Sequence, residues 1–154
     1  MTMSGSGSLA KLAIAALLVL LLSACGGSRD VSGQRLEIVT NALAQIGTPY
    51  RYGGAAPDGF DCSGLVYYTH KKAGIDVPRA SSAQKSTARR VSRSRLQPGD
   101  LVFFNTGATT SHVGIMIDST RFVHAPSSGK RVSTSSITDR YWRRNFNGAA
   151  TYLN

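Results

Sequence analysis

The chain has 154 residues, with 18 Lys and Arg against 8 Asp and Glu, a formal net charge of +10, and 42% hydrophobic residues. This length suits one globular domain, and the apolar content excludes a wholly disordered chain. The positive excess directs attention to polyanionic partners.

The first elements are signals for export. Leu12 to Leu22 is uninterrupted hydrocarbon behind one positive charge, Lys11, and is shorter than the roughly 20 residues a transmembrane helix needs. Residues 1–24 therefore read as a secretory signal peptide. Its end, Leu22-Ser23-Ala24-Cys25, resembles the lipobox of bacterial lipoproteins, in which cleavage precedes a cysteine that carries diacylglycerol. The alternative is an ordinary signal peptide cut near Ala24, with Cys25 incidental. Cleavage before Cys25 leaves 130 residues with 17 basic and 8 acidic side chains. Export turns the expected polyanions from nucleic acids to lipid headgroups and wall polymers, and no nucleic-acid-binding motif is present. Gly26 after a lipidated cysteine fits sorting to the outer membrane, facing the periplasm, if the envelope is Gram-negative.

Residues 25–34 read as the lipidated N-terminus and a Gly/Ser-containing tether, and residues 35–154 as the folded domain. Leu36, Val39, Leu43 and Ile46 recur at helical spacing and predict a helix that stops at Gly47. Residues 53–59 (GGAAPDG) read as a loop. A second helix is predicted from Asp61–Ser63 to Gly74, capped by Asp61 or Ser63 and favoured by Lys71 and Lys72 in its last turn. SSAQKSTARR, from Ser81, predicts a third, short helix. The pattern then becomes strand-like, with LVFF at 101–104, HVGIMI at 112–117 and RFVHA at 121–125. The last two are joined by a hairpin turn at Asp118-Ser119-Thr120. Further strands are expected at 130–134 and 149–153. Helices followed by a strand meander predict an α+β fold with helices on one antiparallel sheet. The basic run at 88–95 reads as a solvated face, with acidic wall or membrane as its natural attraction.

Cys62 lies at the predicted start of the second helix. If Cys25 carries lipid, Cys62 has no intrachain partner, and an odd thiol in an exported protein is bridging, reactive or inertly buried. Unpaired N–H groups at a helix start favour thiolate, the nucleophilic form. Such a nucleophile needs a base, and the chain has three histidines, His70, His112 and His124. With Ile117 facing Arg121 across the turn, paired residue numbers sum to 238. His112 and His124 then share one face as diagonal neighbours, within about 7–8 Å, with Gly114 leaving room between them. His70, beside Lys71 and Lys72, reads as a solvated surface residue. This pattern supports Cys62 as nucleophile, His112 as base and His124 as the group that orients it, with backbone N–H groups meeting the oxyanion. By pattern alone, a buried cysteine and two ordinary strand histidines are the favoured reading. Zinc held by one Cys and two His is a weaker reading, because no close ligand pair is present.

Taken in order, GTPYRYGG (47–54), DCSGLV (61–66), VPRASSAQ (77–84), LQPGDLVFF (96–104), HVGIMI (112–117) and FVHAP (122–126) resemble the NlpC/P60 family. The resemblance implies a papain-like α+β fold and a cell-wall cysteine peptidase acting on peptidoglycan amide bonds that involve D- or γ-linked residues, with no metal or organic cofactor. It implies Cys62 as nucleophile, His112 as general base and His124 as the third polar residue. It also implies that Tyr50 lines the cleft near the oxyanion, and that Asp61, Ser63, Arg79 and Ser81 border the substrate groove. The alternatives are an amidase or acyltransferase of the same fold and a non-catalytic envelope-binding module.

Overall fold

The computed structural model describes residues 30–107, 112–127 and 130–153; residues 1–24, read above as a signal peptide, and Cys25 lie outside them. The helix α1 runs from Val31 to Leu43, so residues 31–34, expected in the tether, are helical. Val31 packs against the core and draws this first turn into the domain. The apolar face also differs from expectation. Ile38 and Ala42 are the buried residues, whereas Leu36, Leu43 and Ile46 are exposed at 69%, 41% and 48%. Ile38 and Ala42 sit one turn apart and Ala42 is small, which lets α1 lie close to its neighbours. Arg35 on this helix donates to the Asp100 carboxylate (2.8 Å) and the Pro98 carbonyl (2.6 Å), fixing α1 to the turn that precedes the sheet.

The segment expected as a plain loop contains a minimal ribbon, β1 (Ala55–Ala56) with β2 (Gly59–Phe60). It leads into α2, Cys62–Lys72, whose N-cap is Asp61. A third helix, α3, covers Ser81–Thr87, shorter than predicted because Arg89–Val91 turns into an edge strand, β3. The remaining strands are β4 (Leu101–Phe104), β5 (His112–Met116), β6 (Arg121–His124), β7 (Ser133–Ser136) and β8 (Phe146–Thr151). A short helix, α4 (Arg140–Asn145), precedes β8 and was not signalled by any periodicity. The strands expected at 130–134 and 149–153 are thus displaced to 133–136 and 146–151. Arg131 forms only an isolated bridge, with Pro49.

The six longer strands make one antiparallel sheet in the order β3-β8-β4-β5-β6-β7. Alternation divides its side chains between two apolar layers. Leu101, Phe103, Val113, Ile115, Val123 and Ala150 meet Ile38, Ala42, Leu65 and Val66 of α1 and α2. Val102, Phe104, Met116, Phe122 and Ala149 form the opposite layer, covered by Trp142 and Phe146. The phenylalanines at 60, 103, 104 and 122 are fully buried, each stabilising the fold by about 1.5–3 kcal/mol.

The start of α2 is held where backbone meets backbone. A Cβ at Gly64 would lie 1.9 Å from the Gly54 carbonyl oxygen. Only glycine lets the ribbon approach the helix this closely, and that approach positions Cys62.

Candidate active site

Asp61 organises the helix start. Its Oδ1 accepts from the Gly64 amide at 2.7 Å and its Oδ2 from the Gly53 amide at 2.9 Å. The Arg79 guanidinium grips both oxygens, at 2.9 and 2.6 Å, and reaches Ser63 Oγ at 2.9 Å and the Gly54 carbonyl at 3.2 Å. Burial works against ionisation of Asp61, but these hydrogen bonds and the Arg79 charge hold its carboxyl below the ordinary value. Gln84, which the sequence did not single out, donates to the Ser63 carbonyl at 3.0 Å and the Pro78 carbonyl at 2.8 Å, tying α3 to α2. A depression of about 540 Å³ opens above this network, lined by Cys62 with Tyr50, Asp61, Ser63, Arg79 and Ser81. All five residues expected to border a substrate groove therefore surround the thiol.

Cys62 is reduced. Burial pushes its thiol up, and the Asp61 carboxylate adds to that. The N–H groups of Val113, Ser63 and Cys62 itself pull the other way and do not prevail. The N–H groups at the helix start do favour thiolate, as expected, but desolvation outweighs them. Tyr50 is raised as well, by burial first and then by the neighbouring Cys62 and Asp61.

The two histidines stand as their register predicted. Ile115 pairs with Val123 and Met116 with Phe122, and the Ile117 amide bonds the Arg121 carbonyl. His112 Nε2 lies 2.8 Å from His124 Nδ1, and His124 Nε2 lies 3.0 Å from Ser135 Oγ on β7. Gly114 serves differently from the expectation. A Cβ there would strike the Phe122 ring at 2.4 Å, so the space freed holds Phe122 beneath His124 (ring centroids 5.1 Å apart). Trp142 closes the pair. It stacks on His112 at 5.5 Å and 26° and meets His124 edge-on at 5.0 Å. Burial lowers His112 to about 4. Burial, His112 and Lys130 lower His124 to about 3. Both imidazoles are uncharged at neutral pH.

These histidines line a second depression of about 460 Å³ with Tyr141, Trp142, Lys130 and Ser135. Cys62 lines the first depression rather than this one, and the Val113 amide, next in chain to His112, acts on its thiol. Ser135 and Trp142 carried no sequence signal: the first sits in a run of small hydroxyl residues, the second on a helix too short to show a period. Among the described residues, no group of three or more His, Cys, Asp or Glu is arranged to hold a metal ion.

His70 is not a surface residue. It is fully buried, its Nδ1 3.0 Å from the Val66 carbonyl, and burial lowers it to about 4. Lys71 and Lys72 face solvent, and one residue earlier the helix turns its side chain about 100° toward the core.

Residues 47–151 match the model of the NlpC/P60 family. The chain belongs to the NlpC/P60 family. Curated relatives include murein DD-endopeptidase MepH of Escherichia coli K12, 42% identical over 113 residues, covering 70% of this chain and 42% of that protein. The murein DD-endopeptidase MepS/murein LD-carboxypeptidase of the same strain is 43% identical over 108 residues, covering 70% of this chain and 57% of that protein. The match thus spans about half the length of these relatives. Among solved structures, the NlpC/p60 domain of the peptidoglycan hydrolase SagA superposes with a TM-score of 0.67 at 33% identity, covering 76% of this chain and 97% of that one. An NlpC/P60 family protein from Bacillus cereus ATCC 10987 gives a TM-score of 0.74 at 29% identity, covering 78% and 40%. The α+β architecture read from this sequence is the architecture of this NlpC/P60 chain.

Proposed function

We propose that this NlpC/P60 chain is a peptidoglycan endopeptidase that uses Cys62 as nucleophile, His112 as general base and His124 to orient His112. The observation that carries the reading is the meeting at the start of β5. Cys62 Sγ takes the Val113 amide there, beside a hydrogen-bonded His112–His124 pair. The names of the relatives MepH and MepS support the substrate class.

His112 uses Nε2 for His124, which leaves Nδ1 to take the thiol proton. That assignment puts a proton on Nε2, donated to His124 Nδ1, and a proton on His124 Nε2, donated to Ser135 Oγ. Because thiol and imidazole are both uncharged at rest, the proton moves as sulfur attacks the amide carbon. Trp142 stacked on His112 favours the imidazolium that forms. His112 returns its proton to the departing amine, and a water activated by the same nitrogen hydrolyses the acyl-enzyme. Backbone N–H groups at the start of α2 and the Tyr50 hydroxyl border the place where the oxyanion develops. The Arg79–Asp61–Ser63 network shapes the groove for the residues flanking the scissile bond, with Ser81 on its rim.

Mass spectrometry of fragments released from purified peptidoglycan tests this reading, with Cys62→Ala as control. New stem-peptide ends that depend on Cys62 support it. Release of only a terminal residue, the activity that the second half of the MepS name denotes, would replace endopeptidase with carboxypeptidase. A new end at the sugar would replace it with amidase.

Ser135→Ala is expected to lower kcat about tenfold, within the usual range for a group that orients a reacting ligand, with KM and melting temperature unchanged and Ser135→Thr restoring the rate. An unchanged kcat would reduce Ser135 to a packing residue.

Lipidation of Cys25 and residence at the outer membrane belong to the same proposal, supported by the Leu22–Cys25 sequence. Radiolabelled palmitate is expected to enter the wild-type protein and not Cys25→Ala; equal labelling would reject it.

A further inference from the structure

A second concavity lies across α3 from the thiol. Ser81 borders the Cys62 depression, while the next residue, Ser82, turns into a groove of about 540 Å³ with Lys85, Ser86, Arg90, Asn147 and Gly148. The floor is the β3–β8 ribbon, where Arg90 pairs with Ala150, and α3 is the wall. Gly148, at φ +121°, brings bare backbone to the floor, and Lys85 Cε lies 3.7 Å from where its Cβ would be.

Two cations face this groove from opposite sides. Burial and then the charge of Arg90 hold the Lys85 ammonium below its ordinary value. Among the described residues, no carboxylate stands within ion-pair distance of either cation; the ion pairs of Arg35, Arg51, Arg79 and Arg121 lie elsewhere. Two like charges held together beside two serine hydroxyls repel each other until an anion enters between them. A guanidinium and an ammonium with hydroxyl donors fit a carboxylate, which Arg can bind through two parallel hydrogen bonds.

We propose that the Lys85–Arg90 groove binds a free carboxylate of peptidoglycan, as an anchoring site separate from the Cys62 cleft. The ligand class rests on the endopeptidase reading above. A wall polymer that occupies the Cys62 cleft passes within about one helix diameter, roughly 10–12 Å, of this groove. Its remaining stem carboxylates are the anions within reach. The concave shape favours a single polymer chain over a bilayer surface, which would meet a convex face.

The test is co-sedimentation of the full-length protein with purified peptidoglycan, in a Cys62→Ala background so that the polymer stays intact. Lys85→Gln with Arg90→Gln is expected to weaken retention about tenfold at low salt, with an unchanged melting temperature. Amidation of the free carboxyls of the polymer is expected to weaken retention of the parent protein to the same level and to leave the double variant unaffected. Equal retention of parent and double variant on untreated polymer would overturn the proposal. So would a loss seen only on vesicles of acidic phospholipid, which would assign the groove to the membrane. Retention needs no turnover, so a failure of the endopeptidase reading would appear as absent hydrolysis by the wild-type protein in the fragment assay above, with the retention difference intact.

Discussion

Cys62→Ala is expected to reduce peptidoglycan hydrolysis by at least about 10⁴-fold while shifting the melting temperature by no more than a few degrees. Removing a covalent nucleophile leaves only binding and oxyanion contacts, which is why such losses are large. The fold does not depend on the sulfur: Asp61, Gly64 and Arg79 fix the helix start through other atoms. Cys62→Ser should fail nearly as badly. The site raises even the thiol, and an alcohol holds its proton more tightly. Alkylation gives an independent check. Iodoacetamide should label Cys62 slowly at neutral pH and faster as pH rises through and beyond the ordinary thiol range. Fast labelling at neutral pH, or residual turnover in Cys62→Ala, would contradict the mechanism.

The second large effect is acid destabilisation. His70 and His112 are lowered to about 4 and His124 to about 3, against 6.5 in an exposed chain. Between pH 6.5 and about 4 the unfolded chain binds more protons than the folded one. Stability is therefore complete above about 6.5 and is lost as pH falls. Each histidine contributes a slope of about 1.4 kcal/mol per pH unit in this window, so the three together approach about 4 kcal/mol per unit. Urea midpoints measured from pH 7 to 4.5 would show the fall. His70→Phe should remove about one third of the slope without affecting kcat, since His70 is buried edge-on against Tyr152 and lines neither the thiol nor the histidine depression. A flat profile would mean that the histidines remain hydrated.

The histidine pair was legible in the sequence for a definite reason. The short turn at Asp118–Thr120 fixes the β5–β6 register, and register fixes which side chains share a face. The cap Asp61 and the position of Cys62 were equally local. Other features depend on tertiary placement. Apolar spacing in α1 pointed to Leu36, Leu43 and Ile46, but the helix packs through Ile38 and Ala42 because close approach favours a small side chain. His70 was judged by its lysine neighbours, although adjacent helical residues point about 100° apart. The thiol was expected to ionise readily from its helix position alone, and burial, which no short motif records, reverses the direction. Trp142 and Ser135 reach the histidines from 18 and 11 residues beyond His124 in the sequence, with no motif to announce them.

The strand order also sets when the sheet can be completed. β8 follows every other described strand in the sequence, yet it lies between β3 and β4, inside the sheet. A chain still emerging during synthesis can pair β4 with β5 and β5 with β6, but β4 keeps an unpaired edge until Phe146–Thr151 arrives. The same late segment follows Trp142, the lid over the imidazoles. Contacts of such long sequence separation form slowly and late. A sheet built this way, and the imidazole pair it carries, is completed only once the last of its strands in sequence has been made.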